Sequence, residues 1–516
     1  MPKHVKEPTL TQYKSSRLYL LIIGVASVLI AGALYSTMPT TEAAFHRNPL
    51  TGALVVSVMI FIAYFWLNGT KDVAYTLYFH LRLKNRIKLP PVARITSEPL
   101  VLLLYCTYND FNPDSLLKSI QQQYRNFRTV ILDDSTNPAY KARIDAFARA
   151  HHIQVVRRSD NIGFKAGNLN NFLRNYEWPF LYDYFVILDS DEIIPCNFIR
   201  RSLDYFAANP FAGILQANHV ATRNRNWFMK KMSIGVNSHW PVYQAVKERL
   251  GFMSLLGHGA MVSRVCYEAA GGFPHVVAED ICFTIEARLK GFLTLFALDI
   301  VCEEEFPPDY AAFEKRHNKW TQGNMEFIRK NTRKILFSNM TWFEKLDIIL
   351  FTYSLPLTAL FSVYVIINVV AFPLLGYNLQ YPLWMLAPTA VFLVAPMLND
   401  IIVYWNKMSK RDLLSYLGHT TLLFGSMFFV SLRASLKSMF GGSVFLVTPK
   451  DSARVTFWEA IWINRSKLLF GLVLMAVSIG LNQSIFPVLL IVVPTIFGMY
   501  LSVSHQRKKE VQEISA

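Results

Sequence analysis

Asp189 and Asp191 stand one residue apart where an apolar run, FVILDSDEIIP at 185–195, stops. Neither carboxylate can enter a core without a partner, because each would lose its hydration. At the mouth of a sheet, two such carboxylates can hold Mg2+ or Mn2+ through oxygen, together with phosphate groups. Acidic pairs also occur in plain turns, so the pair alone leaves both readings open. Lys165 lies in NIGFKAGN, a glycine-containing turn ahead of a helical pattern. A lysine there either meets a phosphate near a helix N-terminus or is a solvated surface group. Taken together, the lysine and the aspartate pair favour a metal-diphosphate site.

The elements that must position these groups alternate. Strand patterns at 100–105, 128–132, 153–157 and 184–188 interleave with helical patterns at 114–123, 140–151 and 167–176. Such alternation predicts a mostly parallel sheet, and ligands of such sheets bind at the carboxyl ends of the strands. Three of the strands end in polar clusters, CTYND, DDS and DSD. They therefore fall on one edge.

Outside this region the composition changes. The chain has 516 residues and a formal net charge of +16. Its two ends carry long apolar runs at 18–35, 50–67, 346–375, 383–404, 468–481 and 485–503. A bilayer crossing needs roughly 20 apolar residues. The first run is too long, and too closely followed by the second, to be a cleaved signal peptide. Lys and Arg cluster on the N-terminal tail and after the second run, which predicts that the tail and the central domain are cytoplasmic. The run 413–432 is apolar enough to cross. Crossing would put Arg433, Lys437, Lys450, Arg454, Arg465 and Lys467 outside, so it is read as lying at or dipping into the cytoplasmic face, leaving six crossings, with seven crossings as the alternative. The stretch 75–86 mixes apolar and basic residues and predicts an interfacial amphipathic helix.

The expected layout is a tail and two membrane helices over 1–70 and an interfacial helix over 71–96. A cytoplasmic domain over 97–332 and interfacial helices with two membrane helices over 333–440 follow. A loop over 441–466 and a membrane hairpin with a tail over 467–516 complete it. The basic charge lies beside membrane runs, where it meets anionic lipid. No aromatic-basic interleaving of a nucleic-acid module is present, so no nucleic-acid partner is expected. The five cysteines show no C-x-x-C spacing and the histidines no H-x-x-x-H set. Packed thiols and no structural zinc are expected. The run Glu303-Glu304-Glu305 reads as a solvated turn, and Trp227 and Trp240 as core.

The order CTYND, LDD, FKAGNLN, LDSD, Ala278-Glu279-Asp280 and Lys319-Trp320 resembles family 2 glycosyltransferases of the α/β GT-A fold. With membrane runs on both sides, the chain is similar to membrane-integrated, processive polysaccharide synthases such as the cellulose, hyaluronan, chitin and curdlan synthases. The segment FLVTPK at 445–450 resembles the gating loop of cellulose synthase. The resemblance runs from about residue 97 to 450. It implies that Thr107, Tyr108 and Asp133 bind the nucleoside of a UDP-sugar, and that Lys165, with Asp189, Lys319, Thr448 and Lys450, contacts the nucleotide. It implies a Mg2+ or Mn2+ ion on Asp191 and Asp189, Asp280 as catalytic base, and Glu279 shaping the acceptor pocket. Trp320 would stack on the acceptor sugar. His258 would line the acceptor site or, on its own reading, simply pack. Two positions depart from the family pattern: Ala278 replaces a threonine, and RHNKW at 316–320 replaces Q-x-x-R-W. Lys319 thus lacks the fork with which arginine grips a diphosphate.

The implied reaction is a single displacement that inverts the anomeric carbon. It would build a β-linked, glucan-like polysaccharide and move it across the plasma (inner) membrane. A non-processive transfer of one sugar to a lipid carrier, and a transporter that only senses nucleotide, are the alternatives. The residues do not disclose the sugar, the linkage, or any accessory subunit.

Overall fold

The computed structural model describes residues 14–93, 98–175, 182–441 and 455–514. Seven strands form one mixed sheet: β1 (Val101–Thr107), β2 (Phe127–Asp133), β3 (Gln154–Val156), β4 (Tyr184–Leu188), β5 (Ala212–Ala221), β6 (Ala260–Ser263) and β7 (Leu293–Glu304). Their order across the sheet is β3-β2-β1-β4-β6-β5-β7. β6 runs antiparallel to both neighbours, and every other pairing is parallel. Val101 through Tyr105 is a continuous buried apolar run, as expected for a central strand covered on both faces. Val101, Leu103 and Tyr105 pack with Leu116, Ile131 and Phe198 on one face. Leu102 and Leu104 pack with Leu169, Phe172 and Phe283 on the other.

Short polar caps start the connecting helices. Asn112 and Asn137 each cap a helix whose first residue is proline, Pro113–Ser119 and Pro138–His151. The side-chain oxygen accepts an otherwise orphaned N–H, and proline there lacks one. The four strands read from the sequence are present, with ends within two residues of expectation.

Seven helical stretches are long and apolar enough to cross a membrane: Arg17–Arg47, Pro49–Arg86, Ser354–Leu374, Leu383–Tyr404, Lys410–Phe440, Phe457–Asn482 and Phe486–Val503. The stretch 75–86 is not a separate helix. The helix Pro49–Tyr78 runs on through a π-turn, Phe79–Leu83, and a 3-10 turn, Lys84–Arg86. No proline lies between Leu50 and Arg86 to break it. The apolar run from 346 is divided at Tyr353 into Trp342–Thr352 and Ser354–Ile366.

Lys410–Phe440 satisfies the length criterion for a crossing, yet both of its halves rest on helices that issue from the sheet domain. Lys231, on Trp227–Leu250, donates to Ser415 Oγ at 2.7 Å. On Tyr310–Leu336, His317 Nε2 lies 2.8 Å from Ser431 Oγ, and Arg329 donates to the carbonyls of Ser438 and Met439. The same stretch also packs on an apolar helix, with Leu423, Met427 and Val430 in one cluster with Leu501.

Candidate active site

The carboxyl edges of β1, β2 and β4 carry the polar groups. β1 ends in a turn in which Asn109 adopts a left-handed conformation, one that asparagine tolerates. Its side-chain carbonyl accepts from the N–H groups of Thr136 and Asn137, at 3.0 and 2.9 Å. That bond ties the β1 turn to the β2 turn.

Asp110 then links β1 to β4. One of its oxygens accepts from Thr107 Oγ1 at 2.9 Å and from the Tyr108 N–H at 2.8 Å. The other accepts from Ser190 Oγ at 2.6 Å. Ser190 sits between Asp189 and Asp191, so Asp110 fixes the turn that displays them. Asp189 and Asp191 are partly exposed, while Ser190 and Glu192 are buried.

Lys165 lies in the first turn of Phe164–Asn175 and reaches across to Asp189, with which it forms an ion pair. It also donates to the Gly257 carbonyl at 2.8 Å. Burial would lower the Lys165 ammonium, but Asp189, Cys106 and Glu279 outweigh it and leave it raised. Gly257 in turn borders the second acidic pair: a Cβ on it would lie 3.6 Å from Asp280 Oδ2. Asp280 and Glu279 open the helix Glu279–Leu289. Burial raises both carboxyls. Asp280 adds to the shift of Glu279, while Lys165 and Lys319 oppose it at both. The pairs Asp189/Asp191 and Glu279/Asp280 therefore share one cleft, with Lys165 between them.

Asp133 is buried and already engaged. One oxygen accepts from the Ser135 N–H at 2.8 Å and the other from Arg157 Nε at 2.6 Å. Asp134 makes a two-pronged pair with Arg158, at 2.8 and 2.6 Å. These groups border a cleft of about 250 Å3 that also includes Ser135, Thr136, Lys141 and Asn161. Asp133 thus shapes this cleft through Arg157, and Arg157 and Arg158 offer it cationic edges.

Trp320 projects from Tyr310–Leu336 and is 45% exposed. The Arg316 guanidinium lies 4.7 Å from its ring and 4.8 Å from that of Phe306. Such cation-aromatic contact holds an exposed ring in place. Arginine at the family's glutamine position therefore buttresses Trp320. Thr448 and Lys450 lie outside the described residues.

His258 is partly exposed and packs among charged groups instead of apolar ones. It lies between Glu192, 3.3 Å from Nδ1, and Glu304, 3.7 Å from Nε2. Burial would lower the imidazole, but Glu192 and Asp189 outweigh it and push it up to about 10. Glu304 closes β7 and faces His219 at 3.6 Å. Glu303 forms a bridge with Ile193, and Glu305 pairs with Arg225 at 2.8 Å. The EEE run is thus the end of a strand with three separate partners, not a solvated turn. Trp240 stacks on His219, with ring centroids 5.9 Å apart.

Sequence reasoning missed Asp110, Arg157, Arg158, Glu192, His219 and Glu304. Asp110 stood within the CTYND motif, and Arg157 at the end of a predicted strand. Those were signals that could have drawn notice. The others carry no local pattern.

The sheet, with acidic turns at the carboxyl edge of its strands, is thus flanked in the chain by long apolar helices on both sides. Residues 184–399 match the family model described as "Glycosyl transferase family group 2". The chain is homologous to the "Probable glucomannan 4-beta-mannosyltransferase 1" of Arabidopsis thaliana, 22% identical over 304 residues, 55% of this chain and 54% of that protein. With "Glucomannan 4-beta-mannosyltransferase 2" of the same plant it is 24% identical over 231 residues, 43% of each. The chain spans about half the length of these curated relatives or less. Among solved structures it is similar to a mannosyltransferase, PcManGT, from Pyrobaculum calidifontis, described in complex with GDP-Man and Mn2+. That likeness has a TM-score of 0.45 at 18% identity and covers 74% of this chain and 99% of that one. The protein is a multi-pass membrane protein.

Proposed function

We propose that the protein transfers a hexosyl group from a nucleotide-diphosphate sugar to the end of a β-linked polysaccharide, with inversion, and passes the product through its membrane helices. The observation that carries this reading is the meeting of two acidic pairs across Lys165. One pair suits a departing diphosphate and the other an incoming hydroxyl.

Asp280 takes the proton from the acceptor hydroxyl as it attacks the anomeric carbon. Its raised affinity for protons brings it closer to the working pH of a general base. Lys165 presents a fixed positive charge to the leaving group, a stabilisation that needs no reorganisation during the reaction. Lys319 adds charge to the same cleft. Trp320 offers an aromatic face to the acceptor sugar, and Thr107, Tyr108 and the arginine-edged cleft receive the nucleoside. The half-exposed carboxylates of Asp191 and Asp189 suit a hard cation bound through oxygen. Bound there, Mg2+ or Mn2+ would neutralise charge on the diphosphate. Thr448 and Lys450 belong to this reading as the closing loop. Attack from the face opposite the leaving group gives a β-linkage from an α-linked donor.

The sequence motifs favour a UDP-sugar and a glucan-like product. The names of the relatives favour mannosyl transfer, which makes a mannosyl donor the second reading. The deciding experiment incubates purified protein with labelled UDP-glucose, UDP-N-acetylglucosamine and GDP-mannose, with Mg2+ or Mn2+, and digests the product with linkage-specific glycosidases. Long β-linked product supports the proposal. Single-sugar addition to lipid, or no transfer from any donor, overturns it.

A further inference from the structure

The loop from Gly251 to Gly259 joins Trp227–Leu250 to β6 and presents the Gly257 carbonyl to Lys165. Phe252, Met253, Ser254 and Leu255 are all buried. A buried loop must find partners for its backbone N–H groups, and three of them go to side chains from three separate elements. The Phe252 N–H donates to Asp347 on Trp342–Thr352 at 2.8 Å, the Leu255 N–H to Thr284 on Glu279–Leu289 at 2.9 Å, and the Leu256 N–H to Gln216 on β5 at 2.8 Å. All three side chains are buried.

Thr284 differs from the other two in what its hydroxyl does next. The same Oγ1 that accepts from Leu255 donates to the carbonyl oxygen of Asp280 at 2.8 Å. A hydroxyl has one proton to give, and a threonine within a helix often gives it to the carbonyl four residues back. The lone pair that remains takes the Leu255 N–H. One oxygen atom thus joins two segments. The first is the opening turn of the helix that carries Glu279 and Asp280. The second is the loop that holds Lys165 two residues further on.

That junction bears on how the two acidic pairs face each other. Lys165 is paired with Asp189 on one side and bonded to the Gly257 carbonyl on the other. Gly257 has φ +93, a conformation that suits glycine. Only Leu256 separates it from Leu255. Gln216 fixes the far end of this turn to the sheet, since its amide also donates to the His258 carbonyl at 2.9 Å. Thr284 fixes the near end to the helix. A continuous line of contacts therefore runs from Asp189 through Lys165, Gly257, Leu255 and Thr284 to Asp280.

We infer that Thr284 is a positioning residue for glycosyl transfer: its hydroxyl ties the loop that steadies Lys165 to the helix turn that displays Asp280, and so holds the leaving-group charge and the base at a fixed separation. The inference rests on the roles proposed above for Lys165 and Asp280. Thr284 acts through these neighbours and not on the substrate. Without the hydroxyl, the buried Leu255 N–H has no acceptor, and an unpaired buried donor is unfavourable enough to move a loop. A moved loop takes the Gly257 carbonyl away from Lys165.

The test compares Thr284→Val, which keeps the branched shape without the hydroxyl, with Thr284→Ser, which keeps the hydroxyl. Full-length protein in detergent is assayed for kcat and for donor KM, with thermal unfolding alongside. The valine variant should lose about 10- to 100-fold in kcat, the scale for misplacing a reacting group by up to about 1 Å. Its donor KM should change by less than about 3-fold, because Lys165 and Asp189 stay paired. The serine variant should return kcat to within about 3-fold of the unaltered protein. Thr352→Val is the comparator. Its buried hydroxyl donates only to the Ile348 carbonyl of its own helix, at 2.6 Å, so its loss should leave kcat unchanged. Unchanged kcat in Thr284→Val, equal loss in Thr284→Ser, a change confined to KM, or equal loss in Thr352→Val overturns the inference. If Thr284→Val does not fold, Thr284→Ala carries the same expectation, and failure of both to fold overturns the inference too, because the fold itself then needs the residue. Turnover by the unaltered protein is measured separately, so the glycosyl-transfer reading stands or falls on its own result.

Discussion

Asp110 is the sharpest place to probe how the donor site is held. Its carboxylate accepts from two hydroxyls, Thr107 and Ser190, and from one backbone N–H, that of Tyr108. Asp110→Ala removes all three. A hydrogen bond to a charged group contributes about 1.5–3 kcal/mol. Because the turn borders solvent, the low end applies, giving about 4.5 kcal/mol in total. Asp110→Asn differs. Its carbonyl can keep the Tyr108 N–H, and the hydroxyl facing the new amide can rotate and become an acceptor, so the cost should stay near 1 kcal/mol. The catalytic consequence is displacement of the Asp189–Asp191 turn. A shift of about 1 Å in a reacting group costs on the order of 10²-fold. The assay is kcat/KM for donor turnover in detergent, with thermal unfolding measured alongside. The alanine variant should lose about 10²-fold and the asparagine variant less than about 10-fold. Equal damage in both would refute the reasoning, because the charge itself would then be required. Wild-type turnover in the alanine variant would refute it from the other side.

Further outcomes follow from the same geometry. Asp280→Asn should lower kcat by at least about 10²-fold with unchanged unfolding, the low end for loss of a general base. Near-normal transfer would remove Asp280 from that role. Because burial raises the Asp280 carboxyl, activity should fall with decreasing pH at a value above that of an ordinary carboxylate, as the base acquires its proton. A pH profile of kcat/KM reads this directly. Glu344→Gln breaks a buried two-pronged pair with Arg288, both contacts at 3.0 Å, that ties Glu279–Leu289 to Trp342–Thr352. It should cost about 3–5 kcal/mol, read as a lowered unfolding temperature. Chelation should stop transfer, and added Mg2+ or Mn2+ should restore it. Transfer that survives exhaustive chelation would exclude the Asp191 cation from the reaction.

What the sequence disclosed depended on whether a feature was local. β4 and its terminal aspartates were readable because a fully buried strand is a continuous apolar run, and a buried run that meets charge must end. The Lys165 turn and the membrane runs announced themselves in the same way. β6, antiparallel between β4 and β5, left no mark, since its four residues resemble any short apolar strand. The partners of Asp133 were hidden because Arg157 lies 24 residues away. The histidines at 219 and 258 follow no spacing along the chain, and only the pairing of β5 with β6 brings them together. Glu304 read as solvent-facing because its neighbours are acidic, whereas its own partners arrive from other strands.

The helix Tyr310–Leu336 has a second set of attachments. Nearer its N-terminus than Trp320, its Glu314 pairs with Lys467, and Tyr310 bonds to Ser426 Oγ at 3.1 Å. Those partners sit on Phe457–Asn482 and beside Lys410–Gly425. Trp320 and the apolar helices are thus joined through a single rod. On the proposed reading, a chain end resting on Trp320 would keep a fixed distance from those helices, so advance by one residue would come from the glycan sliding and not from the enzyme swinging.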